Sequence, residues 1–154
     1  MEPYLLTIYD NYTAPPKPGQ LQFDSSAYSV GESGGSVKIT VSRTDGSEGT
    51  VSVVYVATEG IAKAGSDFSA VSGTLTFAAG ETNKSFSVGI VNDSIAEPGE
   101  TFTVSLKSPT GGSALGTPVT ATVSIVDDDG DTLYLQNETV ITTETYSSTA
   151  SIWA

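Results

Sequence analysis

Three consecutive aspartates, Asp127-Asp128-Asp129, follow directly on a strand-like run from Val119 to Val126. Adjacent carboxylates a few ångströms apart repel by roughly 1–4 kcal/mol per pair, depending on the local dielectric. A folded domain keeps such a cluster for one of two reasons: water solvates it, or a cation neutralises it. The chain has no Cys and no His. That excludes thiol and imidazole chemistry, disulfides, and zinc sites built from Cys and His. Oxygen is the donor that remains.

The elements that must position these acids are all of β type. Val37-Lys38-Ile39-Thr40-Val41-Ser42 alternates apolar and polar residues with period 2. The same period recurs at Val51, Val53 and Tyr55, at Leu75 and Phe77, at Phe86, Val88 and Ile90, at Phe102, Val104 and Leu106, and at Val119, Ala121, Val123 and Ile125. With a short run at Ala27–Val30 this makes about seven strands, and no helical period competes. Seven short strands with turn signals over about 100 residues predict an antiparallel β-sandwich, an all-β fold.

Successive strands of a sandwich mostly alternate in direction, which sorts the loops to two ends. One end receives Glu32, Glu59, Asp67, Asp93, Glu97, Glu100, Asp127, Asp128 and Asp129. The other receives Asp45, Glu48 and Glu81. The split of nine to three gathers acids from four separate segments. A hard cation suits such a cluster. Calcium takes about 6–8 oxygen ligands in flexible geometry, whereas magnesium demands a stricter octahedron. No 12-residue EF-hand loop is present, since Asp93 to Glu97 lacks the ligand spacing and the central Gly. The site must be assembled from distant loops, with Ca2+ as the expected cofactor.

Six stretches resemble the Calx-β domain family in order and spacing, from about Leu21 to Gly130. They are Ser29-Val30-Gly31-Glu32, Ala64-Gly65-Ser66-Asp67-Phe68, Gly73 to Phe77, Ala79-Gly80-Glu81-Thr82, Asn92 to Phe102, and Ile125 to Asp129. The resemblance implies an immunoglobulin-like sandwich of the kind found in sodium–calcium exchangers, in integrin β4 and in tandem arrays on large surface proteins. It also implies calcium ligands at Glu32, Asp67, Asp93, Glu97, Glu100, Asp127, Asp128 and Asp129. The family's strongest binders carry acids where this chain has Asn92, Ser94, Pro98 and Gly99, which implies about one to three weakly held ions.

The remaining sequence sets the context. The chain has 154 residues and a formal net charge of −12. With only six Lys and Arg residues, it lacks the basic patch that nucleic acid or anionic lipid requires. No apolar run is long enough to span a membrane, and Met1-Glu2-Pro3 does not begin a signal peptide. The expected organisation is the end of an upstream module plus a Pro-rich linker over 1–20, the sandwich over 21–130, and the start of a downstream β segment over 131–154. Tyr4–Tyr9 and the alternation around Leu133, Leu135 and Val140, with Trp153 near the end, suggest flanking modules of a longer protein. Asn-X-Ser/Thr triplets at Asn11, Asn83, Asn92 and Asn137 occur in a chain so rich in Ser and Thr that chance matches are frequent. Paired carboxylates also serve glycosidases, but that chemistry needs a substrate cleft and one acid of raised pKa, and clustered, exposed acids neutralised by calcium are expected to give neither. The expectation is therefore no enzymatic activity. It is a calcium-binding structural module of an extracellular, adhesin-like surface protein, with neighbouring domains of the same polypeptide as partners. The alternative is a binding module whose loops recognise a glycan or a protein.

Overall fold

A computed structural model describes residues 13–130. The flanking segments 1–12 and 131–154, with the strand-like runs and the Trp153 noted above, lie outside the described residues.

Among the described residues, nine strands form two sheets. In chain order they are β1 (Gln20–Phe23), β2 (Ala27–Gly31), β3 (Ser36–Thr44), β4 (Val51–Thr58), β5 (Ser72–Phe77), β6 (Asn83–Gly89), β7 (Glu100–Lys107), β8 (Ala114–Leu115) and β9 (Thr120–Val126). One sheet has the order β6-β3-β1-β8 and the other β2-β9-β7-β4-β5. No α-helix occurs among the described residues, and a single 3-10 turn spans Glu32–Gly34. The all-β sandwich expected from the alternation is present. The two strands beyond the expected seven, β1 and β8, are four and two residues long, too short for a period to declare itself.

β1 and β2 are two halves of one passage along the edge of the sandwich. β1 joins the first sheet beside β3 and, in parallel, β8. The chain then bends at Asp24–Ser26, and β2 crosses to the second sheet, where it pairs in parallel with β9 from Ala27↔Thr122 to Gly31↔Val126.

The core follows the period-2 pattern. Leu21, Phe23, Ile39, Val41, Val53, Phe77, Val88, Phe102, Val104 and Val123 are fully enclosed between the sheets. Two aromatic pairs cross the interior. Tyr55 stacks on Phe86 with ring centroids 3.9 Å apart, and Phe68 stacks on Phe102 at 4.1 Å. Phe68 belongs to no strand. It is a loop residue inserted as a plug, fixed by bridges to Ala64 and Ile90. It sits next to Asp67, so its burial decides where that carboxylate points.

The inward row of β3 runs Val37, Ile39, Val41 and then Arg43, which is 3% exposed. The guanidinium caps the core where apolar side chains run out.

Truncating Phe68 to Ala removes the plug and one face of the Phe102 stack. A buried Phe→Ala change costs about 3–5 kcal/mol. Urea unfolding of Phe68→Ala should show that loss as a lower midpoint with an unchanged slope. A loss under about 1 kcal/mol would show that the loop is not anchored through the core.

Candidate metal centre

The strand ends gather the acids. β2, β4, β6 and β9 all run toward one end of the sandwich, and β7 starts there. Register ties them closely: Gly31 pairs with Val126, and Glu100 with Ile125. Glu32, the residue after Gly31, is thereby set beside Asp127, the residue after Val126.

The three aspartates after β9 keep the alternation of the strand. Ile125 is buried, Val126 exposed, Asp127 half-buried, Asp128 exposed and Asp129 half-buried. Period 2 therefore turns Asp127 and Asp129 to one side and Asp128 to the other. Asp127 and Asp129 join Glu32 in a triad whose carboxylate oxygens lie within 4.8 Å of one another. Asp128 accepts a hydrogen bond from the Ser33 hydroxyl.

A second triad consists of Asp67, Glu97 and Glu100, again within 4.8 Å. The loop from Glu59 to Phe68 holds Asp67 in place. The Lys63 N–H donates to Asp67 Oδ2 at 2.5 Å, and the Asp67 N–H donates to the Lys63 carbonyl at 2.9 Å. Glu59 closes the same loop by accepting the Ala64 N–H at 3.1 Å and facing Lys63 Nζ at 3.7 Å. Members of both triads, Glu32, Asp67, Glu97, Glu100 and Asp127, line one small pocket with Val91, Pro98 and Ile125.

Of the eight residues expected as ligands, six fall into these two triads. Asp93 and Asp128 stand at the rim. Asp93 supports the first triad through its backbone, its N–H donating to Glu32 Oε1 at 2.9 Å, while its own Oδ1 accepts the Ile95 N–H at 2.7 Å. Counting acids alone overlooks Lys63 and Ser33. A Lys four residues after Glu59, within one loop, was the available signal for the first. Nothing in the sequence marks the second.

The electrostatics are those of a cluster short of positive charge. Glu32 gains from the Asp93 N–H, but burial and the charges of Asp93, Asp129 and Asp127 outweigh it and push its carboxyl up. Burial, then Asp67, Asp93 and Asp127, raises Glu97. Glu100 is raised by burial, then by the hydrogen bond and charge of Asp67 and by Glu97. Burial, then Asp127 and Asp128, raises Asp129. Three buried carboxylate oxygens, Glu100 Oε2, Asp127 Oδ1 and Asp129 Oδ2, have no hydrogen-bond partner among the described residues. Buried polar atoms are nearly always paired, so orphaned carboxylate oxygens drawn from both triads fit a cation as their partner. With oxygen as the donor throughout, the hard divalent ions fit best.

A β-sandwich with a loop-built acidic end defines a class of metal-binding modules, and comparison with known proteins narrows it. The Calx-beta domain family matches residues 16–129, and the chain belongs to that family. It is 36% identical over 136 residues to sodium/calcium exchanger 1 of Bos taurus, with 77% of this chain and 14% of that protein covered. It is 34% identical over 112 residues to the sodium/calcium exchanger Calx of Drosophila melanogaster, covering 73% and 12%. The chain thus spans about one seventh of the length of these relatives. Among solved structures, the apo-form Calx CBD1 domain superposes with a TM-score of 0.70 at 34% identity, covering 71% of this chain and 97% of that one. The calcium binding domain CBD12 of CALX1.1 gives 0.69 at 34% identity, with 45% of that longer chain covered. The relatives are named as exchangers, which lends no support to the adhesin-like surface setting expected from the sequence.

The four raised carboxyls are easier to protonate in the folded, metal-free domain than in the unfolded chain. Their contribution to stability is present below the ordinary carboxylate range and is lost as pH rises through the raised folded values. Glu81, at the other end, is held low by the Ala78 N–H and by Lys84. Its contribution is lost only as pH falls through that lowered value, so it does not oppose the trend near neutrality. In chelator, the melting temperature should therefore rise as pH is lowered from about 7.5 to about 5. A flat profile, or one that falls on acidification, would mean that the cluster is not under repulsive stress.

Proposed function

We propose that this chain is a calcium-binding structural module of a larger polypeptide, without catalytic activity. The observation that carries this reading is the set of orphaned buried oxygens on Glu100, Asp127 and Asp129. Glu32, Asp127 and Asp129 hold one ion, and Asp67, Glu97 and Glu100 hold a second. Asp93 and Asp128, each with one carboxylate oxygen engaged by a local donor, complete the rim. Calcium is the expected ion because six carboxylates from separate loops make a flexible oxygen cage, which magnesium accepts poorly. Bound calcium removes the repulsion and ties together four segments that only loops connect.

The chain beyond Gly130 leaves from this end, so the same ion also fixes the exit direction toward residues 131–154, the proposed start of a downstream segment. The fitting partner is a neighbouring domain of the same polypeptide. The exposed large hydrophobic residues Ile61, Ile95 and Val126 all lie on the acidic end, and they favour a protein neighbour there over a glycan. An extracellular setting rests on the sequence reading alone.

Calorimetric titration of the full chain tests the ion. If the dissociation constant is about 10 μM, then about 1 mM calcium adds roughly 2.7 kcal/mol per site and raises the melting temperature by several degrees. Asp127→Asn and Glu100→Gln should each weaken binding about tenfold or more, whereas Asp45→Asn at the opposite end should leave it unchanged. A melting temperature indifferent to both calcium and chelator would end the calcium reading.

The exit direction has its own measurement. The chain has no Cys, so a spin label on Gly130→Cys reports the exit alone. Its mobility should rise on chelation. An unchanged spectrum, with calcium binding confirmed on the same sample, would leave the ion as a fold stabiliser only.

A further inference from the structure

The opposite end of the sandwich holds a cation of its own. Arg43, the last inward residue of β3, donates from Nε to the Pro18 carbonyl at 2.7 Å and from one terminal nitrogen to Ala78 O at 3.2 Å. The other terminal nitrogen reaches Glu48 O at 2.6 Å and Gly49 O at 3.1 Å. Among the described residues no carboxylate pairs with it. Its charge is met by four backbone carbonyls from three segments: the incoming chain, the β3–β4 turn and the β5–β6 turn.

The incoming chain is stitched to the same spot. The Lys17 N–H donates to Glu48 Oε2 at 2.8 Å, and the Glu48 N–H donates to Lys17 O at 3.1 Å. Gly46 lies so close that a Cβ on it would come within 2.2 Å of the Lys17 carbonyl oxygen. The Ala114 N–H then binds the Gly19 carbonyl at 3.1 Å.

We propose that Arg43 is a positioning residue that fixes the direction in which the chain enters the sandwich, as a permanent internal cation independent of any metal. A guanidinium stays charged at every physiological pH, so neither chelation nor mild acid releases this lock. Its planar fork suits it to bind carbonyls from several segments at once, which the single ammonium of Lys cannot do. Residues Ala14 to Pro16 continue outward from the lock, and Pro15-Pro16 passes its orientation on with little bending. The lock holds whether or not calcium binds at the far end.

The test is a spin label on Ala14→Cys in the full chain, with a second label on the exposed Ser87→Cys of β6 as reference. In the wild-type background the Ala14 label should be restrained, with the same spectrum in calcium and in chelator. Arg43→Lys should shorten its correlation time at least about twofold and leave the Ser87 label unchanged. Gly46→Ala, which pushes Lys17 and the adjoining Pro18 carbonyl away from the Arg43 side chain, should do the same and covers the case in which Arg43→Lys does not fold. Three results would overturn the proposal: a label at position 14 that is equally mobile in wild type and variants, one that loosens on chelation in wild type, or equal loosening at both positions.

Discussion

Mutual repulsion among carboxylates at one end is the constraint on which the rest of this domain depends. Register in the second sheet brings Glu32 to Asp127 and Glu100 to the end of β9, and burial then raises the cost of charge on Glu32, Glu97, Glu100 and Asp129. The strands cannot relieve this without giving up their pairing. Relief has to come from outside, as protons or as a metal ion. The fold thus builds a demand for positive charge into its loops and leaves the supply to its surroundings.

The other end meets the same problem with the sign reversed and solves it internally. Arg43 is buried at the end of an apolar row, and carbonyl dipoles stand where a counter-ion would be. A charged group left alone in an interior is costly, and full hydrogen bonding is what makes it tolerable. One pole is therefore complete in the polypeptide and the other is complete only with a ligand. The two poles bracket a core that needs neither, built from the Phe68–Phe102 and Tyr55–Phe86 stacks and the aliphatic rows between them.

Most of the fold could be read from alternation, because a sandwich writes its two faces into every strand of five or more residues. β1 and β8 escaped because four and two residues carry too little pattern, and their places are set by pairing, β1 on β3 and β8 on β1, rather than by their own composition. At the acidic end, strand direction was enough to place Glu32, Asp67, Glu97, Glu100, Asp127 and Asp129 together. It could not separate Asp128 from its neighbours, because that distinction depends on the strand's pleat continuing past Val126. Nor could it show that Asp93 supports Glu32 through its backbone N–H, since main-chain donors leave no trace in residue type. Arg43 was invisible for a related reason: its partners are carbonyls, which every residue has.

The parallel pairing of β2 with β9 has a mechanical consequence. The chain enters at the Arg43 pole and leaves at the acidic pole, so tension along the polypeptide pulls these two strands in opposite directions along their common axis. Their register from Ala27↔Thr122 to Gly31↔Val126 is then loaded in shear, with its hydrogen bonds sharing the force instead of opening one at a time. A domain strung in series with others would hold its length under load until that whole ladder gave way at once.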